Sequence, residues 1–170
     1  LIQWAKENQY DLFADGLKIY TTINSDLQKY AEHAVENQMK KLQITFDEHW
    51  KNKSPWIDEK GFEIKDFISK SIKRTNQYKY YDIKYNGDSL KIYEELKKPK
   101  NMKVFSWNGE IDTIFSALDS IKYYKKFLQS GFISIEPKTG HIKAWVGGIN
   151  HKYFKYDHVK QGKRQPGSTI

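Results

Sequence analysis

The sequence predicts an α+β fold, a mixture of helices and antiparallel strands, from three observations. A long amphipathic pattern follows Ser25, and apolar and polar residues alternate on both sides of two turn signals, at residues 108–109 and 137–140. Apolar residues spaced three and four apart are typical of a helix with one buried face, whereas strict alternation is typical of a half-buried strand. The 170 residues, 38% of them hydrophobic, are enough for one ordinary domain or two small ones.

The first 24 residues predict an interdomain linker that ends in a connecting strand, because residues 17–23 alternate and are rich in β-branched types. A long helix follows over residues 25–45, with the amphipathic pattern reaching about Lys41. Ser25 and Gln28 form a possible capping box at its start. The positions that define its buried stripe, one of them polar, are Leu27, Tyr30, Ala31, Ala34, Val35, Gln38 and Leu42.

Residues 46–118 predict an inserted accessory region that ends in a hairpin, since the composition shifts to Lys, Tyr, Asn and Asp. Apolar spacing predicts a short helix around Phe67, and Asp88 or Ser89 is placed to cap another helix that ends before Pro99. Asn108-Gly109 tolerates the positive φ angles of a tight type I′ turn, so residues 102–107 and 110–115 are predicted to pair.

Residues 119–170 contain a helix, a second hairpin and a basic, aromatic loop. Ser116 and Asp119 have the spacing of a capping box, which opens a helix through Leu128 that stops at Gly131. The turn Pro137-Lys138-Thr139-Gly140 joins strands at 132–136 and 141–146. The residues predicted to share the buried face of this hairpin are Ile133, Ile135, Ile142, Ala144 and Val146.

Composition narrows the possible partners. The net charge of +8, from 29 Lys and Arg against 21 Asp and Glu, favours anionic partners such as nucleic acid, lipid headgroups or acidic polymers. The lysines are scattered among acidic residues, which indicates solvated faces. The absence of cysteine excludes a disulfide framework and cysteine-ligated zinc. No stretch approaches the roughly 20 apolar residues that span a bilayer, so we expect any membrane anchor to lie outside this sequence.

Ser168, in the run Gln165-Pro166-Gly167-Ser168-Thr169-Ile170, is the candidate nucleophile. A catalytic serine needs a rigid perch, a base that takes its proton, and donors for the oxyanion. If Ser168 opens a Ser-x-x-Lys element, the lysine is the next residue, position 171, one helical turn away on the same face. Most Pro-Gly-Ser strings are helix N-caps, however, so the hexapeptide by itself does not assign catalysis.

The context of Ser168 is more specific. Residues 131–170, with Ile-Glu-Pro-Lys-Thr-Gly, then Ala-Trp-Val-Gly-Gly, then Arg-Gln-Pro-Gly-Ser-Thr, resemble the opening of the transpeptidase domain of class A, bifunctional penicillin-binding proteins. Residues 17–35, with Leu-Lys-Ile-Tyr-Thr-Thr-Ile-Asn-Ser-Asp-Leu-Gln-Lys-Tyr-Ala, resemble the junction between the glycosyltransferase and transpeptidase domains of the same family. The two matches stand in the order that the family has.

This resemblance implies a partial penicillin-binding transpeptidase domain of the serine β-lactamase-like fold, with Ser168 as its acylated nucleophile. In the family this serine attacks the D-Ala-D-Ala bond of a peptidoglycan stem peptide and passes the acyl group to an amine of a neighbouring strand, and β-lactams trap it. The implied partners are stem peptides, glycan strands, β-lactam antibiotics and possible protein regulators, with no cofactor, metal or nucleic acid. The implied location is the periplasmic face of the bacterial cytoplasmic membrane, with the anchor outside these residues.

The sequence also departs from the family pattern. The Ser-x-Asn and Lys-Thr-Gly elements that follow the nucleophile are absent, and Lys138-Thr139-Gly140 precedes Ser168 at a predicted hairpin tip, where these are ordinary turn residues. The glycosyltransferase glutamate would lie upstream of Leu1. We therefore expect the 170 residues alone to be inactive. A noncatalytic alternative is a module in which residues 46–118 bind a cell-wall partner or regulator.

Other candidate residues point to weaker functions. The basic and aromatic run at residues 152–156 is of the kind that binds nucleic acid strands, although packing beside the active-site helix is the favoured interpretation. Asp47 and Glu48, and Glu94 and Glu95, are sequence neighbours and do not face one another as an acid and base pair. Histidines without metal-ligand spacing are interpreted as structural or surface residues: His33, His49, His141, His151 and His158.

Overall fold

A computed structural model gives the structure of the protein and describes residues 1–163. This part of the chain contains helices and two separate two-stranded antiparallel sheets, which confirms the predicted α+β class. No helix within the described residues is long and apolar enough to cross a membrane. The elements in chain order are α1 (Ile2–Glu7), α2 (Ser25–His49), α3 (Phe67–Lys73), α4 (Asn76–Lys84), α5 (Ser89–Lys97), β1 (Lys100–Ser106), β2 (Gly109–Phe115), α6 (Ala117–Lys125), β3 (Phe132–Ile135) and β4 (Ile142–Val146).

The strand predicted at residues 17–23 is wrong, because this segment is irregular and mostly exposed; Tyr20, for example, is 91% exposed. Only its end reaches the edge of β4, where the Thr22 hydroxyl donates to the carbonyl of Ile142 over 2.7 Å. The backbone N–H of Asn24 then donates to the carbonyl of Lys143 over 2.9 Å. Alternation makes a strand only where a neighbour pairs with its backbone and covers one face, and α2 begins before such pairing extends.

Helix α2 is confirmed, but its cap, its length and its buried face differ from the prediction. Ala31 is buried as predicted, whereas Tyr30 is 70% and Leu42 43% exposed, and Met39 and Gln43 are buried instead. Asn24, not Ser25, is the N-cap, and its side-chain oxygen accepts from the N–H groups of Asp26 and Leu27 at 3.0 and 2.9 Å. The Gln28 side chain therefore makes no capping box and instead contacts β4. The helix runs to His49, well past Lys41.

Helices α3, α4, α5 and α6 enclose an apolar cluster of their own. The α5 cap is Asp88, as predicted, and it accepts from the N–H groups of Leu90 and Lys91. Helix α4 was not predicted, since its tyrosine-rich sequence lacks a clear apolar stripe; Thr75 caps it. The buried members of the cluster are Ile72, Tyr81, Ile92 and Leu96.

The β1–β2 hairpin is confirmed, but its turn is not the predicted type I′. Ser106 pairs with Gly109, so Trp107 and Asn108 form the loop. Only Gly109 has a positive φ, of +107°, whereas a type I′ turn needs positive φ at both central residues. The capping box of Ser116 and Asp119 is present at the start of α6, as predicted, although α6 ends at Lys125 and does not reach Leu128.

The β3–β4 hairpin is confirmed, but only part of its predicted buried face is correct. Ala144 and Val146 are buried against Ala31 and Val35 of α2. Ile133 pairs with Trp145 and therefore lies on the other face, while Ile135 is 51% exposed. A register shift between Ser134 and Ile135 explains the difference, because one extra residue moves the following side chains to the opposite face.

Candidate functional site

Ser168 lies outside the described residues, and so do Pro166 and Gly167. The structure describes the segment that leads to it, residues 147–163, which we call the approach loop. This loop leaves the end of β4, contacts the β1–β2 hairpin and α6, and folds back onto β4. The approach loop and the elements around it define the described part of the candidate site.

Asp157 holds the returning part of the approach loop against β4. Its carboxylate accepts from the indole N–H of Trp145 at 3.0 Å and from the backbone N–H groups of Val159 and Lys160 at 2.9 Å each. These hydrogen bonds, the one from Lys160 foremost, hold the pKa of Asp157 below its usual range. The N–H of His158 also donates to the carbonyl of Gly147 over 2.7 Å, so the loop is closed on itself.

Glycines make this close approach possible. A Cβ added at Gly147 would lie 2.9 Å from the carboxylate of Asp157, and one at Gly162 would lie 2.4 Å from the carbonyl oxygen of His158. A Cβ at Gly131 would meet Val159 at 3.0 Å. A side chain at Gly147 or Gly131 would press the loop away from the hairpin, and one at Gly162 would force a change within the loop itself.

Helix α2 fixes the other edge of β4 through Gln28. The side-chain oxygen of Gln28 accepts from the backbone N–H of Trp145 at 2.7 Å, and its amide nitrogen donates to the carbonyl of Trp145 at 2.9 Å. The side chain thereby makes the pair of hydrogen bonds that a neighbouring strand would make. Neither this contact nor the one at Asp157 was predicted, although an Asp before a turn is a signal for such a role.

A cavity of about 510 Å³ lies between α2 and the approach loop. Its walls include carboxylates from α2, at Glu32 and Glu36, and aromatic rings at Trp145 and Tyr156. Glu32 accepts a hydrogen bond from Gln28 at 2.7 Å. The cavity therefore adjoins both the fixed edge of β4 and the loop that leads to Ser168.

The run at residues 152–156 packs against β1 and α6. The Tyr153 ring stacks on Tyr124 at 6.1 Å, and the Phe154 ring meets Phe105 edge-on at 5.5 Å. Lys152 forms an ion pair with Glu110 of β2, which is the main reason that the pKa of Glu110 lies below its usual range. Two aromatic side chains of the run thus pack against β1 and α6, whereas packing beside the active-site helix stays a prediction.

Lys138-Thr139-Gly140 lies at the tip of the β3–β4 hairpin. The Thr139 hydroxyl donates to Glu136 at 2.7 Å and accepts from the N–H of His141 at 3.2 Å. Gly140 has a φ of +71°, a value that glycine adopts without cost. These contacts give the triplet a structural role in the turn.

The remaining candidates occupy scattered positions. Asp47 accepts a hydrogen bond from Gln43, and Glu95 accepts from Lys98 and Tyr85, so these acids take part in structural contacts. Among residues 1–163, no group of three or more His, Cys, Asp or Glu side chains is arranged to hold a metal ion.

The class of protein is indicated by a family comparison. Residues 51–128 match the model of the penicillin-binding protein middle domain. This range, which we call the middle domain, contains α3 to α6 and the β1–β2 hairpin. No solved structure matches the chain.

Comparison with individual proteins gives a more specific result than the family model. The chain is 32% identical to penicillin-binding protein 1A of Aquifex aeolicus over 164 residues, which are 91% of this chain and 21% of that protein. It is 24% identical to penicillin-binding protein 1A of Neisseria cinerea over 94% of this chain and 23% of that protein. A shorter match, 46% over 43 residues, covers 25% of this chain and 6% of penicillin-binding protein 2D of Bacillus subtilis.

The chain is therefore penicillin-binding protein 1A-like, which confirms the resemblance that the motifs at its two ends indicate. It spans about a fifth of the length of the penicillin-binding proteins 1A that it matches.

Proposed function

We propose that this chain is part of a bacterial peptidoglycan synthase, in which residues 119–170 open a serine transpeptidase domain and Ser168 is the acylated nucleophile. The observation that carries the proposal is the match to penicillin-binding proteins 1A over most of the chain, together with the string Pro166-Gly167-Ser168, which resembles the nucleophile motif of the family. The closed approach loop supports it, because a nucleophile needs a rigidly held segment.

The proposed reaction has two balanced steps. The Ser168 hydroxyl oxygen attacks the carbonyl carbon of the penultimate D-alanine, the peptide C–N bond breaks, and the terminal D-alanine leaves with the proton. An amine of a neighbouring stem peptide then attacks the ester, the C–O bond breaks, and a proton returns to the serine oxygen. With a β-lactam, the ring amide bond breaks instead, and the ester persists. A lysine at position 171 would take and return the proton.

The surroundings of the proposed enzyme follow from the family. The longer protein would carry a glycosyltransferase domain and a membrane anchor before these residues, and it would act in the periplasm on glycan strands and stem peptides. The net charge of +8 suits a site near anionic lipid or acidic cell-wall polymer. No cofactor enters either step.

The test uses a protein that continues beyond Ile170 through the rest of the domain. We expect a fluorescent penicillin to label it covalently, and Ser168→Ala to abolish the label. Ser134→Ala, a serine of β3, is the matched control and should label normally. Labelling that survives Ser168→Ala would contradict the assignment, and mass analysis of the labelled peptide locates the ester.

A noncatalytic role for the middle domain is the second candidate. Ile83 of α4 and Leu90 of α5 are each 80% exposed, so two large apolar side chains on helices that contact one another are available to a partner. In this case the 170-residue chain should sediment with purified cell-wall sacculi or with a regulator protein, and Ile83→Ser with Leu90→Ser should abolish sedimentation. Cosedimentation without penicillin labelling of the extended protein would favour this role over catalysis.

A further inference from the structure

We infer that the β1–β2 hairpin and α6 of the middle domain position the approach loop and thereby influence the rate at which Ser168 is acylated. The contacts join Phe105, Tyr124 and Glu110 to Tyr153, Phe154 and Lys152 of the loop. The structural part of this inference stands on the contacts themselves. Its catalytic part rests on the proposed function of Ser168.

The first contact is an aromatic cluster. Phe105 of β1 is only 8% exposed, and its ring lies 5.5 Å from Phe154 and 5.9 Å from Tyr153. Phe127 lies 5.7 Å from Phe154. Ring pairs at these separations stabilise a contact beyond the apolar area that they bury, so the cluster fixes residues 153 and 154 of the approach loop.

Hydrogen bonds with α6 hold Phe105, the centre of this cluster, in place. The backbone N–H of Phe105 donates to the Tyr124 hydroxyl at 3.2 Å, and the Tyr123 hydroxyl donates to the carbonyl of Phe105 at 2.7 Å. Both tyrosines belong to α6. Tyr124 therefore contacts the backbone of β1 through its hydroxyl and the ring of Tyr153 through its own ring, and so links the two segments directly.

Helix α2 connects this assembly to β4. The Lys40 ammonium donates to the Asn108 side chain at 2.8 Å, at the tip of the β1–β2 hairpin. Gln43 donates to the carbonyl of Lys126 at 3.1 Å and accepts from the N–H of Leu128 at 2.9 Å. The same helix holds β4 through Gln28. The approach loop is thus fixed at its start by α2 and further along by the middle domain, on one connected frame.

The ion pair of Glu110 and Lys152 joins the approach loop to β2. The Lys152 side chain is 67% exposed and the Glu110 side chain 37%, and a pair that solvent reaches in this way contributes little to stability. Changing these charges should therefore alter the position of the loop on β2 without unfolding the protein.

Hydrogen exchange in the 170-residue chain tests the structural part. With Phe154→Ala, we expect the amides of residues 150–163 to exchange about tenfold faster, while those of Ile92 and Leu96 in the middle domain are unchanged. Ile114→Ala, 66% exposed on β2, is the matched control and should change neither set. Unaltered exchange of the approach loop in Phe154→Ala would overturn the inference.

Charge reversal in the extended protein tests the catalytic part. Glu110→Lys and Lys152→Glu should each lower the rate of penicillin acylation about threefold, and the double reversal should restore it, while the free energy of unfolding stays unchanged. A merely structural role would change the rate only together with that free energy. Lys155→Glu, an exposed lysine of the same loop, should leave the rate unchanged. Equal rates in all four proteins would overturn the positioning role. If the unaltered protein does not acylate, the proposed function fails, and the exchange experiment still decides the structural part.

Discussion

The middle domain and the β3–β4 hairpin with its approach loop are held together by different forces. Fully buried branched side chains, namely Ile72, Ile92, Leu96 and Val104, fill the interior of the middle domain. The β3–β4 hairpin buries only the smaller side chains of Ala144 and Val146, against Ala31 of α2. The hairpin and the approach loop are also held by hydrogen bonds between side chains and backbone atoms. Gln28 and Asp157 make these hydrogen bonds.

This difference decides which changes each region tolerates. Apolar burial is not directional, so the middle domain depends on volume at a few interior positions and little on its surface. Hydrogen bonds are directional, so the hairpin and approach loop depend on single polar atoms and on the space that glycines leave. Four changes test the contrast, beginning with the largest expected effect.

Ile92→Ala should destabilise the middle domain most. Ile92 is 0% exposed, and removing its buried methyl and methylene groups leaves a cavity, which costs about 2–5 kcal/mol. Urea denaturation measures the free energy of unfolding. Ile83→Ala removes the same atoms from a residue that is 80% exposed and should change this free energy by less than about 0.5 kcal/mol. Equal effects of the two substitutions would show that the apolar cluster is not the source of stability.

Gly147→Ala should disrupt the approach loop by overpacking. The added Cβ lies 2.9 Å from the Asp157 carboxylate, so the carboxylate or the loop must shift and the hydrogen bonds of Asp157 are strained, at a cost of roughly 1–3 kcal/mol. Gly148→Ala is the matched control, because its Cβ meets nothing closer than 3.6 Å. Tryptophan fluorescence during denaturation and exchange of the Val159 and Lys160 amides measure the effect. The close contact between loop and hairpin is refuted if the two variants behave alike.

Gln28→Ala should loosen β4 from α2. The substitution removes both hydrogen bonds to the backbone of Trp145, at a cost of about 1 kcal/mol. We expect the Trp145 amide to exchange several-fold faster in NMR measurements. Gln38→Ala, at an exposed position of the same helix, serves as the control. No acceleration at Trp145 would mean that α2 does not secure this strand edge through Gln28.

Acid should weaken the approach loop through Asp157, with the smallest effect. The pKa of its carboxyl is lowered in the folded protein by hydrogen bonds, chiefly from Lys160, so the unfolded chain binds a proton more readily. The resulting stabilisation is complete above the ordinary Asp pKa of about 3.9 and is lost as the pH falls through the lower folded value. Carboxyl NMR titration measures the shift, which Asp157→Asn removes. A midpoint at or above the ordinary value would contradict the contacts described.

Local patterns predicted most of the elements, because their contacts reach only a few residues along the chain. Asp88 caps α5, Ser116 and Asp119 form their capping box, and both hairpins occur around their turn signals. Errors arose where two local choices were nearly equal in energy. Asn24 and Ser25 are both good caps, and the Asn24 N–H also donates to the carbonyl of Lys143, a contact with a residue more than a hundred positions away that a local pattern does not contain.

The candidate site divides in the same way. The motif around Ser168 is readable from the sequence, and the assignment of the nucleophile stays a prediction, since that residue lies outside the described part of the chain. The surroundings of the approach loop were not readable. Gln28 was interpreted as a cap and Asp157 was not singled out, because Trp145, a partner of both, comes close to them only when the hairpin packs.

By itself, the sequence determined the α+β class, the caps and hairpins that short-range hydrogen bonds dictate, and the resemblance to penicillin-binding proteins. Only the tertiary structure decided that residues 17–23 form no strand, that a register shift turns Ile133 away from the α2 side, and that the ring of Phe154 packs against that of Phe105. The physical reason is the same in each case. Short-range contacts depend on residues a few positions apart, whereas these outcomes depend on segments that packing brings together from distant parts of the chain.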